Sequence, residues 1–121
     1  MPTLKVVLYR DDDGSVPLLE WFASLSAKAK AKCLVRVERL KDLGHELKRP
    51  EADYLGEDIY ELRASLQGIH YRMLYFFLGR NAVVLSHGLT KEREVPRREI
   101  ERALVHRVKY LASPQKHTFE E

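Results

Sequence analysis

Residues 59–99 read IYELRASLQGIHYRMLYFFLGRNAVVLSHGLTKEREVPRRE, and the punctuation of this stretch decides the fold. Gln67-Gly68 and Gly79-Arg80 separate runs rich in β-branched and aromatic residues, the pattern of three antiparallel strands joined by hairpins. A two-residue loop at Gln67-Gly68 sets Arg63 opposite Arg72. A type II′ turn opening on Gly79 sets Arg72 opposite His87, and Lys91 shares the parity of His87. Because side chains alternate along a strand, all four cations then leave one face, while Tyr60, Leu62, Tyr71, Met73, Tyr75 and Val84 fill the other. A four-residue loop at either turn would shift the pairing, and a slip of one residue would scatter the row.

Like charges placed directly opposite one another cost roughly 0.2–1 kcal/mol. An anion shared between them offsets that cost, so the row points to a site for a phosphate ester. The structural alternative is an exposed face carrying Arg and Lys for solubility, with Glu61 or Glu92 as partners.

Composition narrows the setting. A chain of 121 residues with 45% hydrophobic content fits one domain with a real core. A single cysteine, Cys33, excludes an internal disulfide and a thiolate zinc cluster and suits a reducing cytoplasm; its helical-spacing neighbours Leu34, Val37 and Leu40 mark it as a core residue. No apolar run approaches the ~20 residues of a membrane span, and no signal-peptide core is visible, so a cytoplasmic protein without a membrane partner is expected. The net charge of +3 is unevenly placed: between Arg63 and Arg98 seven basic residues face two acidic ones. A basic patch on a near-neutral chain favours a focused polyanion site.

The remaining sequence frames the hairpins. Leu4–Tyr9 reads as a strand closed by the Asp11–Gly14 turn, Pro17 opens a short helix through Trp21 and Phe22, and Ser26 caps a longer helix that Gly44 ends. Residues 45–58, holding Pro50 and Gly56, read as a connecting loop. Pro96 opens a last helix whose apolar stripe is Ile100, Leu104, Val108 and Leu111, and a frayed tail is expected from about residue 112. The order β-α-α-β-β-β-α predicts a single α+β domain over residues 1–121: a small antiparallel sheet with two N-terminal helices and a C-terminal helix. The lysines of the long helix, from Lys28 to Lys41, read as a solvated face.

Three strings together carry a family resemblance: Ile59-Tyr60-Glu61-Leu62-Arg63; Tyr71-Arg72-Met73-Leu74-Tyr75; and Val84–Lys91 followed by Val95-Pro96 and Glu99-Ile100. In this order they resemble the phage-derived Gp49-like branch of HigB toxins, within the RelE/ParE superfamily, and the likeness runs from about residue 4 to 111. The resemblance implies a RelE-like fold and the toxin of a type II toxin–antitoxin system. Such a toxin is an endoribonuclease that cuts mRNA, usually on the ribosome, and is silenced by a helix-turn-helix, HigA-like antitoxin. It marks Arg63, Arg72 and Lys91 as site residues. One departure is that Lys91 is followed by Glu92, where the family commonly has a second lysine.

RNA carries its own nucleophile, the 2′-OH, so such a site needs no metal or other cofactor. Arg63 and Arg72 are expected to hold the phosphorane-like transition state, and Lys91 to add charge or move a proton. His87 is the conventional acid or base of the row. His70, Arg93, Arg97 and Arg98 are candidate RNA contacts. His45, His70, His87, His106 and His117 have no metal-ligand spacing, so no metal site is expected.

Overall fold

The Gln67-Gly68 turn forms as its residues dictate. Both have positive φ, 52° and 80°, as a two-residue hairpin loop requires. The strands on either side, β3 (Ile59–Leu66) and β4 (Ile69–Leu78), pair antiparallel with Arg63 opposite Arg72. The structure is a computed structural model that describes residues 4–90 and 93–120. The expectation for Lys91 and the neighbouring Glu92 lies outside those residues.

Six strands make one sheet in the order β2-β3-β4-β5-β1-β6. Here β1 is Lys5–Tyr9, β2 Ala52–Gly56, β5 Ala82–Thr90 and β6 Thr118–Phe119. All neighbours are antiparallel except β1 and β5, which run parallel. A parallel pair needs a crossover. The intervening chain supplies it, with α1 (Pro17–Ala23) and α2 (Ala27–Leu43) covering one face. Ser26 caps α2 by accepting the Ala29 amide at 3.1 Å, and Gly44, at φ 54°, ends it. This face buries Leu18, Phe22, Ala29, Cys33 and Leu40 against Leu62, Met73, Tyr75 and Leu85. The Cys33 thiol is buried there, and burial pushes its pKa up to about 11, which makes it an inert core group.

The opposite face is covered by α3 (Arg97–Ala112), which packs Ile100, Ala103 and Tyr110 on Val7, Ile59, Leu74, Phe76 and Val84. Val84 therefore lies on the α3 face, not among the tyrosines as the parity argument has it. The cause is the second hairpin. Leu78 pairs with Ala82, leaving a three-residue loop, and a β-bulge interrupts the register beside Leu74 and Tyr75.

Three further expectations are corrected. Residues 45–58 contain a 3₁₀ turn (Gly44–Glu46) and the edge strand β2, rather than only a loop. The tail from residue 112 is ordered as one helical turn, α4 (Pro114–His117), and the strand β6, paired to β1. On α3 the buried positions include His106, whereas Val108 and Leu111 of the expected stripe are exposed, and so is Val105. No helix among the described residues is long and apolar enough to cross a membrane.

Candidate active site

Arg63 and Arg72 face each other across β3 and β4, and what makes this tolerable is Glu61. Two residues before Arg63 on the same strand, Glu61 projects from the same face and is only 1% exposed. Its Oε1 accepts from Arg63 Nε at 3.0 Å and from Arg72 Nη1 at 2.5 Å. Asp53, paired with Glu61 across β2, extends the network: its Oδ2 accepts from Arg63 Nη2 at 3.1 Å and Arg49 Nη2 at 2.8 Å. The hydrogen bond and charge of Arg49 hold the Asp53 carboxyl below the usual range, so it stays an anion.

Three guanidinium groups thus share two carboxylates, leaving one net positive charge fixed in place. Arg72 is the more enclosed, its side chain 13% exposed against 36% for Arg63. Its Nε is the one buried side-chain N or O atom without a hydrogen-bond partner among the described residues. A buried donor left unpaired is costly; closed to solvent, it is equally closed to a ligand, so a phosphate would meet the more exposed Arg63 fork first.

His87 does not join this pair. The bulge puts it opposite Leu74 and sets Leu89 opposite Arg72. The imidazole shares the arginine face but lies under α3, 1% exposed, with Nε2 2.9 Å from Glu99 Oε1 and Nδ1 2.8 Å from Ser86 Oγ. Ser86 Oγ is in turn 2.7 Å from His106 Nδ1. Burial pushes both histidines down to about 3, so both are neutral near pH 7. One proton pattern makes all three contacts hydrogen bonds: His106 Nδ1–H donates to Ser86 Oγ, Ser86 O–H donates to His87 Nδ1, and His87 Nε2–H donates to Glu99. The set Ser86, His87 and Glu99 has the composition of a nucleophilic triad. The fully buried Ser86 hydroxyl is closed to any substrate, so the chain is structural.

The other expected contacts are spread along the rim. His70 is exposed on the Arg72 face near the Gln67-Gly68 turn, and Arg93 is exposed ahead of α3. Arg97 pairs with Glu57 at 2.7 Å, and Arg98 approaches Glu99 at 3.8 Å. Sequence reasoning weighed Glu61 only as a solubility partner and passed over Asp53 and Arg49. The signal for Glu61 was its i−2 spacing from Arg63, which puts acid and base on one face of a strand.

Residues 20–108 match the phage-derived Gp49-like protein family. The chain belongs to this family. The match runs from within α1 through most of α3 and so includes the strands that carry both arginines of this Gp49-like protein. It agrees with the resemblance carried by the three strings to the Gp49-like branch of RelE/ParE toxins, and the α+β architecture is compatible with a RelE-like fold. A comparison with curated proteins gives no match.

Proposed function

We propose that this Gp49-like protein is the toxin of a type II toxin–antitoxin pair and an endoribonuclease that cuts mRNA, with the ribosome presenting the substrate. The observation that carries the reading is the Arg63–Arg72 pair locked on a buried Glu61, with the Arg63 side chain 36% exposed. Cations fixed before substrate arrives stabilise the extra negative charge of a pentacoordinate phosphorus without reorganising. The 2′-OH gives up its proton to solvent as its oxygen attacks the adjacent phosphorus, the P–O5′ bond breaks, the departing 5′ oxygen takes a proton from solvent, and the products are a 2′,3′-cyclic phosphate and a 5′-OH end. Arg72 and Arg63 bind the non-bridging oxygens, and Lys91 supplies further charge. His87 has no contact with substrate in this scheme.

The test is purified protein with programmed ribosomes. Cleavage of the message with cyclic-phosphate ends supports the reading, and an intact message refutes it. A helix-turn-helix antitoxin partner is part of the same proposal, tested by co-purification with the product of an adjacent gene. The competing reading is a catalytically degenerate module of this fold that binds RNA or protein. It is favoured by the extent to which Glu61 and Asp53 already neutralise the arginines, and it predicts binding without cleavage in the same assay.

A further inference from the structure

On the α2 face, where β2 forms the sheet edge, a cleft of about 400 Å³ opens between the 3₁₀ turn and the first residues of β2. Its aromatic wall is Tyr54 and Tyr60, cross-strand partners with ring centroids 4.9 Å apart. Tyr60 continues into a stack with Tyr75 at 5.4 Å, which backs the wall with core. Tyr54 is 52% exposed, large and aromatic on an edge strand, and its hydroxyl accepts the Asp58 amide at 3.1 Å, which fixes the ring. The cations of the rim are Lys48 and Arg49, and among the described residues Asp53 is the one carboxylate lining the cleft. The nearby Glu51 is engaged by Arg36 and Arg39.

Arg49 ties this cleft to the arginine pair. Its guanidinium and that of Arg63 contact the same Asp53 oxygen, at 2.8 and 3.1 Å. The two groups are therefore no further apart than those contacts together allow, a span comparable to one nucleotide step. Among the described residues no strand lies outside β2, so single-stranded RNA can pass around the sheet edge from one face to the other.

We propose that this cleft is a nucleobase subsite for single-stranded RNA: the base of a nucleotide next to the scissile step stacks on Tyr54, and Lys48 and Arg49 hold its phosphate. Aromatic platforms beside cations are how proteins hold unpaired bases without reading their sequence. The inference rests on the RNA reading for its choice of ligand.

The test uses a fluorescent octaribonucleotide with 2′-O-methyl groups throughout, which cannot undergo 2′-OH attack, so binding is read apart from cleavage. Tyr54→Ala is expected to weaken binding about tenfold, Tyr54→Phe to retain it, and Arg49→Ala with Lys48→Ala to flatten its salt dependence. Equal binding by the parent and Tyr54→Ala, or no binding by the parent, overturns the subsite. Thermal melts of each variant show that the fold is kept. The ribosome assay on the parent separates the two failures: message cleavage with Tyr54-independent binding sinks the subsite alone. Tyr54-dependent binding without cleavage sinks the nuclease reading alone.

Discussion

At the scale of single residues, the site is defined by how two like charges are made to coexist. Arg72→Ala is expected to reduce message cleavage by about 10²- to 10³-fold, the usual cost of a lost transition-state contact, measured in single-turnover assays with programmed ribosomes. Glu61→Ala acts on stability as well: it leaves the enclosed Arg72 uncompensated and should cost about 3 kcal/mol in urea unfolding. The Arg63–Arg72 opposition was legible in the sequence because a two-residue loop with Gly68 permits one register. The position of His87 was not, because Asn81 joins the second loop and the bulge adds a residue that no local signal announces. Each displacement alone would turn His87 to the other face; the two together return it to the arginine face but move it off Arg72. A correct face thus came with a wrong neighbour.

At the scale of elements, α1 is held on the sheet by a missing side chain. A Cβ at Gly88 would run into the indole of Trp21, so this glycine is what lets the helix approach β5. Gly88→Ala is expected to destabilise by about 1–3 kcal/mol in chemical denaturation, with Trp21 fluorescence shifted as the ring gives way. The C-terminal return is equally specific: the His117 carbonyl accepts the Arg10 amide, and His117 Nδ1 lies 2.7 Å from the Arg10 carbonyl. Removing residues 113–121 should therefore lower the melting temperature rather than leave it unchanged, as loss of a frayed tail would. The sequence hid this element because two strand residues after a Pro-initiated turn make no periodic pattern. In β2 (ADYLG) the alternation is broken by Asp53 on the face of Glu61. On α3 the apolar positions misled because a histidine, buried against Tyr9 at 3.9 Å, takes a place where a hydrophobic residue would be read.

At the scale of the whole molecule, the layer between α3 and the sheet makes stability depend on acidity. His87 and His106 titrate near 6.5 when exposed and at about 3 when folded. With folded values below unfolded ones, their stabilisation is complete above about pH 6.5 and is lost as pH falls toward 3. Unfolding near pH 5 should therefore be accompanied by uptake of close to two protons more than the carboxylates explain, read from the slope of unfolding free energy against pH. His106→Phe should remove about half of that slope. The charge of the long helix belongs to this scale too, and Arg36 and Arg39 on α2 fasten that helix to Glu51.

The parallel pairing of β1 with β5 carries a consequence in time. The β3–β4–β5 meander closes through loops of two and three residues, whereas β1 must wait for a partner more than seventy positions later, and β6 for β1. Loop-closure entropy then orders the events: the hairpins bearing Arg63 and Arg72 assemble first, and the two ends of the chain dock last. During synthesis the basic face would take shape before β1, already made, is docked beneath α3. The nascent chain would carry its arginine pair while the N-terminal strand is still unpaired.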